Sequence, residues 1–353
     1  MNIELGIIEG YYGEPWTWEA RAETVAFLAA RGYRFYHYAP KADEFLRKRW
    51  REEPPAATMQ ALARLSAHCR SHGVRFGVGL SPFEIYRAFD DEAKVALARK
   101  LAALDQLGLD DLAILFDDMR GDLPALAATQ VEIVHWAAQR TAASRVIVCP
   151  TYYSDDPTLD RAYGDRPAGY LEELGAALDP AVEIFWTGEE VCSREYRPGH
   201  LARVAEQLRR KPFLWDNYPV NDGPNMSQVL HIRAFTGRPA SMAGALSAHA
   251  VNPALQCVLS RIPALSLLES YRQGEAYEYG GAFLRAAGEV LGPDLAALVQ
   301  RHIGLLQDVG LDRLGETAGR IRACYAGLDH PGAREIVAFL DGAYRFDPKG
   351  PGA

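Results

Sequence analysis

The sequence predicts a (β/α)8 barrel with a small helical extension at its C-terminal end. Three observations lead there. Short β-rich apolar runs recur at intervals of roughly 30 to 40 residues, the spacing of βα units. Eight such runs can be counted before the pattern changes. They are continuously apolar (LAILF, RVIVC, VEIFW) rather than alternating, as parallel strands covered on both faces are. A chain of 353 residues is long enough for such a barrel and a remainder.

Taken in order, the first strand is expected over Ile3–Glu9, followed by a helix over Trp18–Arg31 that stops at Gly32, a C-cap residue. Strand Tyr33–Ala39 and helix Thr58–His72 follow, then strand Val74–Leu80 and helix Asp91–Leu107. Gly73 and Gly108 close those two helices in the same way. Next come strand Asp111–Phe116 with helix Leu123–Gln139, strand Arg145–Cys149 with helix Tyr170–Leu178, and strand Val182–Trp186 with helix Leu201–Arg209. Strands Pro212–Trp215 and Met242–Ala248 complete the set, and Pro253 opens a helix to about Tyr271. Beyond Gly274 only helices are expected, over Ala282–Leu291, Asp294–Val309, Arg313–Leu328 and Ala333–Tyr344. The division is thus a barrel over 1–275 and a helical extension over 276–353, with the tail FDPKGPGA frayed. The alternative, an open doubly wound sheet, lacks its usual marks: no GxGxxG follows the first strand and no GxxxxGK[ST] occurs.

Composition narrows the function. A net charge of −8 argues against a basic nucleic-acid-binding face and against a polybasic membrane anchor. No run of 18 apolar residues is present. The cysteines (Cys69, Cys149, Cys192, Cys257, Cys324) are odd in number and form no CxxC pair. Reduced thiols and the absence of a signal-like start in MNIELGIIEG point to the cytoplasm.

In such barrels the chemistry sits where the strands end. Here nearly every strand ends in carboxylates, amides or aromatic rings: Glu9-Gly10-Tyr11-Tyr12, Lys41, Asp117-Asp118, Cys149-Pro150-Thr151-Tyr152-Tyr153, Trp186, Trp215-Asp216-Asn217 with Asp222, and Asn252. Polar groups and ring faces converging on one pocket suit a sugar. Adjacent aspartates also occur at Asp90-Asp91, Asp110-Asp111 and Asp155-Asp156, in apparent loop or cap positions. Only Asp117-Asp118 follows a long apolar strand. Like charges crowded there favour one protonated and one ionised carboxylate, an acid–base arrangement. Metal ligation by the pair finds no third ligand, and no metal or cofactor is expected. His37 and His249 read as hydrogen-bonded core residues, Cys149 as packing, and Lys41 as an ion-pair or hydroxyl partner.

The strand-end segments GIIEGYYGEPWTWEAR, YHYAPKADEF, LAILFDD, CPTYY, EIFWTGEEV, LWDNYPVND and VNP together resemble glycoside hydrolase family 84, the β-N-acetylglucosaminidases that include protein O-GlcNAcases. The resemblance implies a (β/α)8 fold and substrate-assisted hydrolysis with retention, through an oxazoline formed by the 2-acetamido group. It implies that Asp117 holds the acetamido N–H and that Asp118 is the general acid and then the base. It further implies sugar contacts from Gly10, Lys41, Asp222 and Asn252. Asn217 and Tyr153 would act near the acetamido group, and Trp215 and Cys149 would line the acetyl pocket. The substrate implied is an N-acetylglucosamine glycoside or an O-GlcNAc protein. Alternatives are a hydrolase of another N-acetylated glycan, such as a cell-wall fragment, and a sugar-binding barrel without turnover. The family's common CPTEY is CPTYY here, so Tyr152 stands where Glu is usual.

Overall fold

A computed structural model describes residues 3–348. Eight parallel strands close into a barrel in sequence order: β1 Leu5–Ile8, β2 Tyr33–Tyr38, β3 Arg75–Leu80, β4 Asp111–Leu115, β5 Arg145–Cys149, β6 Glu183–Trp186, β7 Phe213–Asp216 and β8 Ala248–Val251. The ring is shut by β8 pairing with β1, Leu5 opposite His249 and Ile7 opposite Val251. The fold is therefore the expected (β/α)8 barrel. Helices α1 Trp18–Ala29, α2 Ala56–Ser71, α3 Asp91–Asp105, α4 Leu126–Ala138, α5 Pro157–Tyr163, α6 Tyr170–Ala177, α7 Pro198–Leu208 and α8 Cys257–Gln273 lie between and after the strands. Helices α9 Tyr279–Leu291, α10 Pro293–Gly304, α11 Glu316–Tyr325 and α12 Pro331–Leu340 follow. One continuous hydrophobic core runs from the barrel into these last helices.

Inside the barrel, Phe35, His37, Phe185 and Phe213 pack ring against ring. His37 Nε2 lies 2.8 Å from Asp111 Oδ2, and Arg75 also pairs with Asp111. Asp111 is thus the buried first residue of β4, where the strand was expected to begin, and not in the loop or cap position expected of the Asp110-Asp111 pair. Such a buried carboxylate is tolerated because it is paired. His249 is likewise a core residue, held between Asp216 Oδ2 at 3.0 Å and the Tyr271 hydroxyl at 2.9 Å.

Three elements differ from expectation. The eighth strand begins at Ala248, and Ala240–Ala245 forms a 3-10 turn instead. That stretch is rich in Ala and Gly, which have little strand preference. The strand starts where His249 can reach Asp216. The last barrel helix begins at Cys257, and Pro253 stays in the preceding loop, where the Ala254 and Leu255 carbonyls accept from Trp16 Nε1. Helix α5 was not expected. Asp156 starts it by accepting from the Thr158 N–H at 2.8 Å, with Pro157 at the first helical position. In the tail, the Phe346 N–H donates to Ser227 Oγ at 3.0 Å, so the chain is tied there, while 349–353 lie outside the described residues. Among the described residues no helix is long and apolar enough to cross a membrane.

Candidate active site

A cavity of about 300 Å³ opens at the C-terminal ends of the strands. Gly10, Asp117, Asp118, Cys149, Tyr153, Trp215, Asn217, Asp222 and Asn252 all line it. The strand order explains the convergence: these residues come from the ends of β1, β4, β5, β7 and β8 of one closed ring. Lys41 is the exception. It is buried behind the wall, and its Nζ donates to Asp117 Oδ2 and lies 3.8 Å from Asp118 Oδ2.

The two carboxylates have different surroundings. Asp117 is buried, with one oxygen on Lys41 and the other, Oδ1, without a hydrogen-bond partner. A buried acceptor left open beside a cavity is an invitation to a ligand donor, because leaving it unmade costs free energy. Asp118 has its backbone at φ +58° and receives three phenols. Tyr12 donates to Oδ2 at 2.6 Å, and Tyr163 and Tyr153 donate to Oδ1 at 2.9 and 3.2 Å. Arg47 in turn donates to the Tyr12 hydroxyl at 3.2 Å. Burial and the neighbouring Asp118 push the Asp117 carboxyl up, partly offset by Lys41. Burial also acts upward on Asp118, but Lys41 and the Tyr12 and Tyr163 hydroxyls outweigh it and hold Asp118 below the usual carboxylate range. The protein's own groups therefore split the pair, with Asp117 the harder to ionise.

The opposite wall is a chain of amides. Trp215 Nε1 donates to Asn217 Oδ1 at 3.0 Å, Asn252 Nδ2 donates to the same oxygen at 2.8 Å, and the Gly10 N–H donates to Asn252 Oδ1 at 3.0 Å. Asn217 Nδ2 is anchored on the Val191 carbonyl at 2.8 Å. Gly10 cannot carry a side chain: a Cβ there would fall 1.9 Å from Trp215 Cζ2. Asp222 Oδ2 accepts from the Tyr12 N–H at 2.7 Å, and burial raises its carboxyl. Burial and the nearby Asp117 push the Cys149 thiol well up, so it stays protonated and serves as packing. Among the described residues no group of three His, Cys, Asp or Glu could hold a metal ion.

Tyr12, one of the strand-end residues expected to converge on the pocket, lines the cavity too, and Thr158, Leu159, Ala162, Tyr163, Val191, Cys192, Val220 and Met226 line it without having been expected there. Tyr12 stands in the first strand-end motif, so its position was readable. Tyr163 arrives on α5, whose one local signal is Asp156-Pro157. Tyr152 is buried and its ring faces away from the cavity, edge-on to Tyr170 at 5.4 Å.

Residues 5–301 match the family model described as NAGidase, beta-N-acetylglucosaminidase. The chain is 30% identical over 261 residues to the protein O-GlcNAcases of Rattus norvegicus and Mus musculus, matching 70% of this chain and 28% of each relative. It thus spans well under half the length of those mammalian relatives. A mutant of the O-GlcNAc hydrolase of Thermobaculum terrenum superposes with a TM-score of 0.80 at 27% identity, covering 96% of this chain and 80% of that one. With the family model matched along most of the chain and the barrel closed around an aspartate pair, the protein belongs to the β-N-acetylglucosaminidase family of glycoside hydrolases, family 84.

Proposed function

We propose that the protein is a retaining exo-β-N-acetylglucosaminidase that works by substrate assistance and removes O-GlcNAc from proteins. The observation that carries this reading is the open, buried Oδ1 of Asp117 next to Asp118. An acetamido N–H fills that acceptor. The sugar's own carbonyl oxygen is then turned toward its anomeric carbon and forms an oxazoline as the glycosidic bond breaks. An intramolecular nucleophile of this kind has a very high effective molarity, and no carboxylate is required on the opposite face.

The proton balance follows from the pair. Before the sugar binds, Asp117 holds a proton more readily than Asp118. Donation of the sugar N–H to Asp117 Oδ1 favours ionised Asp117, and a like charge so close then favours protonated Asp118. Asp118 gives that proton to the leaving oxygen and takes one from the water that opens the oxazoline. Lys41 favours the ionised form of Asp117 once the sugar N–H is bound, and its remaining ammonium donors serve a ring hydroxyl in this reading. In this reading Asp222, Asn252 and the Gly10 carbonyl bind other hydroxyls, and Tyr153, Asn217, Trp215 and Cys149 surround the acetamido group, which their lining of one cavity supports. The five free thiols support a reducing compartment, the cytoplasm, as its place of work.

The test compares rates on an aryl N-acetyl-β-glucosaminide, an O-GlcNAc peptide and a muropeptide. A thiazoline mimic of the oxazoline should inhibit. Asp118→Asn should lose most activity on poor leaving groups and less on good ones. Full rates in both Asp117→Asn and Asp118→Asn would sink the assignment. A fastest rate on the muropeptide would move the substrate to cell-wall fragments, and sugar binding without turnover would leave a binding barrel.

A further inference from the structure

We propose that Tyr163 is a positioning residue for the acid–base step: its hydroxyl, delivered by α5, holds Asp118 on the leaving-group side of the cavity and sets the pH range in which Asp118 works. The inference rests on the reading of Asp118 as the acid–base group. Tyr163 donates to Asp118 Oδ1 at 2.9 Å, and Thr158, Leu159 and Ala162 of the same short helix line the cavity beside it. Because the general acid must lie next to the departing oxygen, α5 is the wall that faces the aglycone.

The helix is fixed so that this phenol cannot drift. The Gly121 N–H, in the loop after β4, donates to the Tyr163 carbonyl at 2.8 Å. The Tyr152 hydroxyl donates to the next carbonyl, that of Gly164, at 2.6 Å. Gly164 sits at φ +90°, and a Cβ there would fall 2.6 Å from Asp122 Cβ, so the chain turns tightly out of α5. Tyr152 is the residue that replaces the family's common Glu. Its role in this chain is thereby given: it braces α5, and α5 presents Tyr163.

A hydroxyl donating to a carboxylate stabilises the ionised form, so removing it makes Asp118 hold its proton to higher pH. The other groups facing Asp118 are Asp117 from the end of β4, Lys41 and Arg47 from the chain after β2, Tyr12 after β1, Cys149 and Tyr153 from β5, and Asp222 after β7. All of them stay in place when only the Tyr163 hydroxyl is changed.

The experiment measures kcat/KM and kcat against pH on aryl N-acetyl-β-glucosaminides for wild type, Tyr163→Phe and a protein with 3-fluorotyrosine at 163. In Tyr163→Phe the alkaline limb of kcat, which reports the substrate complex in which Asp118 carries the proton, should move upward by about one pH unit, the scale of one lost hydrogen bond to a charged group. KM should change little while kcat falls. The fluorinated phenol is more acidic and a stronger donor, so its limb should move downward; it keeps the ring and hydroxyl if the Phe variant does not fold. Limbs that stay put in both, or move the same way in both, would overturn the inference. Asp118→Asn is run alongside: if it keeps full rate on poor leaving groups, the function reading fails instead.

Discussion

Gly10→Ala puts the wall opposite the aspartates under a defined load. The added Cβ would stand 1.9 Å from Trp215 Cζ2 and 2.7 Å from Cη2. Carbon atoms in contact sit at about 3.5 to 4.0 Å, so the indole must retreat by about 1.5 Å or more. It cannot do so freely, because Trp215 is buried and packs edge-on against Phe185 at 5.1 Å. Overpacking of this kind costs about 1 to 3 kcal/mol. Retreat also pulls Nε1 from Asn217, which holds Asn252, which holds the Gly10 N–H. One or two lost hydrogen bonds add about 1 kcal/mol each. The expected loss of stability is therefore about 2 to 5 kcal/mol, read from urea unfolding midpoints. Activity should fall more steeply, since misplacing a site wall by about 1 Å can cost on the order of 100-fold in rate. Trp215→Leu in the Gly10→Ala background should restore stability, because the two substitutions share one contact. An unchanged midpoint and kcat/KM in Gly10→Ala, or a double variant that loses the sum of both singles, would refute the reasoning.

Two further outcomes follow from buried carboxyls. Asp117→Asn leaves the Lys41 ammonium buried without its main partner, so unfolding should show a loss of about 3 kcal/mol along with the loss of turnover, whereas a fully stable variant would show that Lys41 can turn to solvent or Asp118. Glu335 on α12 accepts from the N–H groups of Val258 and Leu259 at the start of α8, and burial lifts its carboxyl from 4.5 to about 7. A carboxyl raised in the folded state binds more protons there than in the unfolded chain between those values. Stability should therefore fall as pH rises from about 4.5 to 7 and level off above, by roughly 3 kcal/mol at most, and Glu335→Gln should flatten that slope. An equal slope in both proteins, measured by urea unfolding across that range, would dismiss Glu335 as its source.

The barrel was legible because each strand is an unbroken apolar run closed by polar or aromatic residues, a pattern that survives without any knowledge of contacts. The same feature exposed Asp117, Asp118, Trp215 and Asn217 at strand ends. What escaped depends on through-space neighbours. Tyr163 and Asp118 are 45 residues apart and meet because β4 and β5 are adjacent in the ring. Tyr12 reaches Asp118 across 106 residues. Helix α5 is too short for an apolar periodicity to register. Lys41 was legible as an ion-pair or hydroxyl partner, but its pairing with Asp117 needed β2 and β4 folded onto one rim. The misplaced eighth strand came from an Ala-rich run that is apolar without being a strand former.

Adjacency alone does not make the aspartate pair work. Successive side chains on an extended strand point to opposite faces, so a straight continuation of β4 would send Asp117 and Asp118 apart. The backbone at Asp118, φ +58°, breaks that alternation and turns both carboxylates to the cavity. Neither member of Asp90-Asp91, Asp110-Asp111 or Asp155-Asp156 has a positive φ. A left-handed residue other than Gly costs about 1 to 2 kcal/mol, though Asp and Asn tolerate it better than most. The phenols of Tyr12, Tyr153 and Tyr163 oppose that cost by holding the carboxylate where the turn puts it. The substitution used to remove the acid therefore matters. Asp118→Asn keeps both the side-chain shape and the tolerance for the turn, whereas Asp118→Ala removes the acceptors and leaves a residue poorly suited to φ +58°. Ala should cost about 1 kcal/mol more stability than Asn at this position, measured by urea unfolding. If the two were equally stable, the left-handed turn would not be strained, and the tyrosine bonds would serve the acid–base chemistry alone.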